Sequence, residues 1–485
     1  MVTNGNDNGA GSLRQIIADA CPNSTITFQP GVTTVTLTSD ELVINKNLTI
    51  DGGSGVTVTR SAAVGTPNFR IFDVTIGNTA TFNNLTITNG NHSTQAGGVQ
   101  NSGMLTLNNC VVSGNTSNQA GGLQNDGVML INSCTIANNL DNNGFFGGGG
   151  AITNFGSSLT ITGSTIAGNS SLGLGGGISQ HTGLLTVSNS TFSGNSAGGF
   201  GGALILGDSV TGTASLTNCT FSGNTSIAGG AIYAHKSTTL TNCTLTLNRS
   251  DNGGGINTTA QMATLRNTIV AGNTKADGVT VNNLVGTIDA SSTSNITSNS
   301  GVLLAPLGNY GGPTKTMRPL LGSPAINAGD NCVTNNSCAN LTLPAALTTD
   351  QRGFNRQVGS AVDIGAVEAN YLLAATSGTP QSATVNAAFA NPLLATLTEA
   401  GLPISGVQLT FTAPGSGATA TLGGTKPATT DANGQASVTA TANATAGGPY
   451  QVTAGASGLT AVSFSLTNTC PAITVGTPAN TGTYG

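Results

Sequence analysis

Cys219-Thr220-Phe221-Ser222-Gly223-Asn224, followed by Gly229-Gly230-Ala231-Ile232 and then by Thr239-Leu240-Thr241-Asn242 leading into Cys243, is one unit of a repeat that governs residues 85–273. Earlier copies of its first segment read Ser190-Thr191-Phe192-Ser193-Gly194-Asn195, Ser164-Thr165-Ile166-Ala167-Gly168-Asn169, Cys134-Thr135-Ile136-Ala137-Asn138-Asn139 and Cys110-Val111-Val112-Ser113-Gly114-Asn115. The apolar residue of this segment falls at Ile87, Val112, Ile136, Ile166, Phe192, Phe221, Leu245 and Val270, at spacings of 24 to 30 residues. Repetition at that interval marks a stacked architecture.

Each unit holds three short alternating segments, each ended by Gly or Asn, which is what one coil of a three-faced β-solenoid requires. Thr, Asn and Gly at nearly every second position argue against helix. Coils stacked about 4.8 Å apart bond to the coils on either side, so only inward side chains need be apolar. Asn115, Asn139, Asn169, Asn195, Asn224, Asn248 and Asn273 then form a ladder at one corner, where Asn tolerates the left-handed backbone. The longer coils carry 140–147 and 209–213 as loops expected to protrude from the stack. Gly147 to Gly150 and Gly173 to Gly177 resemble phosphate-cradling loops only superficially. Gly-Gly pairs recur in every coil, no helix pattern follows them, and the lysine of a phosphate loop is absent.

Composition narrows the partners. Of 485 residues 70 are Gly and only 6% are charged; 13 basic against 18 acidic side chains leave a net charge of −5. Nucleic-acid binding and polybasic membrane binding both need clustered Lys and Arg, so neither is supported. No apolar run approaches the roughly 20 residues that cross a bilayer, and no membrane insertion is expected. Met1-Val2-Thr3-Asn4 lacks the basic and apolar stretches of a signal peptide and the chain stops in mid-pattern at Gly485, so it reads as a fragment of a longer exported protein.

Phe192-Ser193-Gly194-Asn195 and Phe221-Ser222-Gly223-Asn224 resemble the FxxN motif of the polymorphic membrane protein repeats of chlamydial and other bacterial surface proteins. Gly149-Gly150-Ala151-Ile152 and Gly229-Gly230-Ala231-Ile232 resemble the GGAI motif of the same repeats. The resemblance implies an all-β fold, a right-handed parallel β-helix, in an autotransported or secreted adhesin. Residues 2–17 are similar to the Gly-Ser-Leu-Arg-Gln segment that opens many exported β-helix proteins. Residues 12–20 pattern as a capping helix, with Ser12 and Gln15 as a capping box and Leu13, Ile16, Ile17 and Ala20 on one face.

The stretch 300–370 resembles the choice-of-anchor Q domain through Gly311-Gly312-Pro313-Thr314-Lys315-Thr316, Gly322 to Asp330, Thr349-Asp350-Gln351-Arg352-Gly353 and Asp363 to Glu368. Such a domain closes extracellular β-helix proteins, and a cap at the far end of the stack is expected. Residues 406–412 and 430–436 look like bacterial Ig-like domains of the invasin and intimin type. Alternating strands at 393–397, 407–412, 418–422, 436–440, 451–454 and 461–466 fit a sandwich, with a turn at Asp431 to Gly434. The expected organisation is an N-terminal cap with first strands over 1–40, a β-helix over 41–300, a cap over 301–370, an Ig-like domain over 371–469 and the start of a further module over 470–485.

Titratable residues on the repeat concentrate just beyond the strand aligned on Leu123, Ile152, Ile178, Leu204 and Ile232. Asp126, Phe155, His181, Asp208 and His235 with Lys236 should form one outward stripe there, the only such concentration expected. Asp126 and Asp208 stand three coils apart, about 14 Å, beyond the roughly 5 to 9.5 Å of a glycosidase carboxyl pair. The two histidines stand about 9.6 Å apart, too far to share a transition metal without bent loops. No cofactor motif is present. Calcium is the one ion candidate, at Asp330, Asp350, Asp363 and Glu368, with Arg352 alternatively neutralising Asp363. Cys332 and Cys338 are close enough to form a disulfide, whereas Cys110 with Cys134 and Cys219 with Cys243 occupy interior positions and should pack as small apolar groups. Arg249, Asp251, Lys275 and Asp277 are expected to form a surface ion-pair group.

Two functions follow as expectations. The first is an extracellular, cell-surface or secreted structural protein or adhesin, with a β-helix on Ig-like spacers binding a glycan or another surface through neutral Asn, Ser and Thr. The chain has no Trp and five Tyr, which limits sugar stacking. The alternative is a carbohydrate-active enzyme, a polysaccharide lyase or hydrolase, with its site in the 120–240 stripe.

Overall fold

A computed structural model describes residues 1–144, 147–207, 212–299, 301–338, 345–473 and 476. The chain divides into two compact units, Met1–Glu368 and Ala369–Gly485. Residues 145–146 and 208–211 of the two longer coils, and most of the expected module after Cys470, lie outside the described residues, while Leu140–Asp141 is no loop but a strand paired with both neighbouring coils.

The first unit is the solenoid, of about 10 turns. Its strands pair parallel and in register from coil to coil: Thr165–Ala167 with Thr191–Ser193, and these with Thr220–Ser222, so Ile166, Phe192 and Phe221 stack inward. The Phe192 and Phe221 rings lie 4.6 Å apart and 7° from parallel. A second face stacks Leu123, Ile152, Ile178, Leu204 and Ile232. The third stacks Ile131, Ile161, Val187 and Leu216. All of these side chains are fully buried, so each coil contributes one layer to a continuous apolar column. The Gly-Gly pairs are explained by close approach between coils: a Cβ at Gly230 would lie 2.3 Å from the Gly254 carbonyl oxygen and 2.6 Å from that of Arg249.

The asparagine ladder forms, with one correction. Asn139 Oδ1 accepts from both the backbone N–H and Nδ2 of Asn115, at 3.1 and 3.0 Å, and Asn139 Nδ2 donates to the Val112 carbonyl at 2.9 Å. The pattern repeats through Asn169, Asn195, Asn224 and Asn248 to Asn273, then continues into Asn283 and Asn299. The left-handed residue, however, is the one before each ladder asparagine: Gly114, Asn138, Gly168, Gly194, Gly223, Leu247 and Gly272. The ladder position needs the amide for bonding along the axis, and the neighbour makes the corner.

The buried cysteines do more than fill space. Cys110 N–H donates to Cys134 Sγ at 3.3 Å and Cys134 N–H to Ser164 Oγ at 3.0 Å; Ser164 N–H then donates to Ser190 Oγ at 3.1 Å. Sulfur and hydroxyl are interchangeable acceptors in this row. A further inward amide row joins Asn101, Asn125, Asn154 and Gln180, with links of 2.7, 2.6 and 3.1 Å.

The helix Leu13–Asp19 covers the first coils, with Leu13 and Ile17 buried. Ser12 Oγ accepts from Gln15 N–H at 3.3 Å, but the Gln15 amide donates to Asp19 at 2.9 Å, so only half of the expected capping box forms. Lys46 Nζ holds the helix C-terminal end by donating to the Ala18 and Ala20 carbonyls at 2.9 and 3.1 Å.

Residues 301–368 pack Ala325 and Ile364 against Ile269 and Ala271 of a late coil. They run back along the flank, reaching Thr191 through Lys315, Asn218 through Thr349, Thr244 through Ala366 and Arg266 through Asp330. Four coils are thereby bridged by one strap. The disulfide joins Cys332 to Cys338 within it.

The second unit is a sandwich of two sheets. One orders Tyr371–Ser377, Leu393–Glu399, Gln435–Ala442 and Ala420–Gly423; the other orders Gln381–Thr384, Val462–Thr469, Gly447–Gly455, Gln408–Thr412 and Ala428–Thr429. Period-two burial along Leu393–Glu399 and Gln435–Ala442 turns Leu393, Leu397 and Val438 onto a core shared with Leu409, Val452 and Phe464. Asp431 Oδ1 closes the expected turn by accepting from Asn433 and Gln435 N–H at 2.9 and 2.8 Å.

Candidate functional site

Parallel register places Asp73, Gln100, Gln124, Thr153, Ser179, Ile205, Tyr233 and Asn257 in one row turned away from the apolar column, of which Asp73 and Tyr233 are half-buried and the other six buried. Three positions past Leu123, Ile152, Ile178, Leu204 and Ile232 stand Asp126, Phe155, His181, Gly207 and His235. Gly207 thus takes the rung where an acid was expected, and Asp208 follows it outside the described residues.

Phe155 stacks on His181 with centroids 4.4 Å apart and planes within 18°. Phe200, Tyr233 and His235 form a second group, at 4.8 and 4.6 Å. Lys236 is buried and its ammonium donates to the His181 carbonyl two coils away, tying the two groups together. Ser179 Oγ lies 3.0 Å from His181 Nε2, and Ser179 is buried. Asp126 accepts from Gln100 Nε2 at 2.5 Å and from Gln124 Nε2 at 3.2 Å.

Sequence reasoning missed a titratable cluster around Asp73, the residue of this row that pairs with Gln100. Arg70 Nε lies 2.7 Å from Glu41 Oε2, and Arg70 Nη2 lies 3.2 Å from His92 Nε2. Burial pushes the Glu41 and Asp73 carboxyls above the ordinary range against the pull of Arg70. Burial and Arg70 together hold His92 below its ordinary value. The only signal in the sequence was the density of ionisable residues at 40–41, 70 and 73, outside the regular period.

Of the four acids considered for calcium, Asp350, Asp363 and Glu368 lie near one another around Arg356, and Asp330 pairs elsewhere. Asp350 pairs with Arg352 at 2.9 Å and also accepts from the N–H groups of Arg352, Phe354 and Glu368. Arg352 neutralises Asp350, and Asp363 Oδ1 accepts from Asn327 N–H at 2.7 Å. Glu368 accepts from Val358 and Asp363 N–H at 3.1 and 2.8 Å with Arg356 Nε 3.9 Å away, and Asp330 pairs with Arg266 at 2.8 Å. Among the described residues no three His, Cys, Asp or Glu side chains gather as a metal-holding group. In the expected surface ion-pair group, Lys275 draws on Asp277, which also accepts from Val279 and Thr280 N–H at 2.9 Å, while Asp251 accepts from Ala276 N–H at 3.2 Å.

Residues 70–245, which carry the stripe and most of the early cluster, match the family model described as a right handed beta helix region. The solenoid is a right-handed β-helix. No curated protein and no solved structure matches the chain. The β-helix therefore supplies a scaffold, and its function has to be argued from the side chains on its face.

Proposed function

We propose that the protein is an exported surface or secreted β-helix protein that binds a neutral glycan along the face that carries its ring groups, with the sandwich as an Ig-like spacer. The observation that carries this reading is the paired ring groups, Phe155 with His181 and Phe200 with Tyr233 and His235, set on one face among amides and hydroxyls. Rings provide apolar area and the flanking polar groups provide orientation, the combination that recognises sugars. The resemblances to surface-protein repeats, to choice-of-anchor domains and to invasin-type modules support an extracellular location. Binding of the full chain to an array of neutral glycans tests it: Phe155→Ala and Tyr233→Ala should each weaken binding by about 5- to 50-fold. Retention of full affinity in both, or no glycan binding by the unaltered chain, would overturn the reading.

A further inference from the structure

The early cluster and the two glutamines share a pattern of unspent hydrogen-bonding groups. Asp73, Gln100 and Gln124 occupy the same row on successive coils, about 4.8 Å per step. Asp126 takes the Nε2 group of both glutamines and so fixes each amide with its oxygen turned away. Neither Gln100 Oε1 nor Gln124 Oε1 has a hydrogen-bond partner, although both residues are more than nine-tenths buried. Polar atoms left in that state are costly unless something pairs with them.

The donors beside them are equally incomplete. His92 Nδ1 accepts from Thr94 and Gln95 N–H at 3.3 and 3.0 Å, which places the proton of the neutral ring on Nε2. That N–H then faces Arg70 Nη2, a second donor, at 3.2 Å. Arg70 Nε is engaged by Glu41 Oε2 at 2.7 Å, so Nη2 is the donor left facing another donor. Two donors in conflict thus stand beside a row of unused acceptors.

We propose that Arg70, Asp73, His92, Gln100 and Gln124 form a saccharide subsite, with Asp126 as the positioning residue that orients both amides. The inference rests on the glycan reading above and extends it toward the N-terminal end of the row. An added anion would meet Glu41 and Asp73, and an added cation would meet Arg70. A hydroxyl both accepts and donates, so one sugar hydroxyl can take the Arg70 and His92 N–H groups while others donate to Asp73 and the glutamine oxygens. Asp126 is exposed and Asp73 and His92 are half-buried, which opens the cluster at its rim.

Calorimetric titration of the full chain with neutral gluco-, xylo- and manno-oligosaccharides of two to eight sugars tests the subsite. Asp73→Ala and Gln100→Leu should each weaken the longer oligosaccharides by about tenfold. The melting temperature of Gln100→Leu should be unchanged or raised, because an unpaired buried oxygen is removed. Normal affinity in both variants, with affinity lost in Tyr233→Ala, would mean that the cluster holds water only; the subsite falls and the ring reading stands. Absence of oligosaccharide binding by the unaltered chain would overturn both. If Asp73→Ala does not fold, Gln124→Met, one coil further on and uncharged, is scored by the same criterion.

Discussion

Gln351 Oε1 accepts a 2.6 Å hydrogen bond from Thr220 Oγ1 across 131 residues of sequence. The same amide oxygen accepts from Thr316 at 3.0 Å, while Nε2 donates to Thr191 at 2.9 Å and Thr314 at 3.0 Å. One side chain thus ties two coils to the flanking strap in a site closed to water. Gln351→Leu should orphan several buried hydroxyls and cost about 2–4 kcal/mol. Urea unfolding would measure the loss, and proteolysis should become faster within 301–368. An unchanged midpoint would show that the strap is not coupled to the coils.

The ladder predicts a contrast between asparagines. Asn195→Ala removes an amide that serves the coils on both sides and should lower stability by about 2–4 kcal/mol, whereas exposed Asn118→Ala should change it by less than about 0.5 kcal/mol. Equal effects in thermal unfolding would contradict the ladder's role.

Thiol chemistry should divide the cysteines by position. Cys21 and Cys470 are exposed, and Cys110, Cys134, Cys219 and Cys243 are buried. A thiol reagent should therefore label two groups in the native chain and six after denaturation without reductant. Cys110→Ser should cost less than about 1.5 kcal/mol, because Ser164 and Ser190 already fill equivalent rungs.

Much of this was legible because the repeat writes its register into the chain: Ile166, Phe192 and Phe221 can be aligned by eye, and so can the ladder asparagines. The inward row Asn101, Asn125, Asn154 and Gln180 was also present, as an amide two places after each aligned apolar residue, but polar side chains read as solvent-facing until their partners are known. Asp73 reaches the row of Gln100 only because Val43 pairs with it 30 residues away in coils that lack the motif. The flanking course of 301–368 is invisible for a different reason. Its contacts are to Thr191, Thr220 and Thr244, which look like ordinary outward threonines.

Buried Glu368 predicts a pH dependence. Burial and the nearby Asp363 raise its carboxyl from 4.5 to about 7 against the attraction of Arg356. The folded chain therefore binds this proton more tightly than the unfolded chain, so the group's stabilising contribution is full below pH about 4.5. It declines as pH rises toward about 7, by up to about 3 kcal/mol. Glu368→Gln should flatten that slope in urea titrations between pH 4.5 and 7. A slope unchanged by the substitution would assign the dependence elsewhere.

The strap also decides how the rod would yield to pulling. The strap reaches the coils between Thr191 and Arg266 and lashes them across their side, whereas the bonds described for the coils before them run, apart from that of Lys236 to His181, between immediate neighbours. Tension should peel the unlashed half one layer at a time, and the lashed half should hold until it ruptures as a block, making the molecule compliant at one end and stiff at the other.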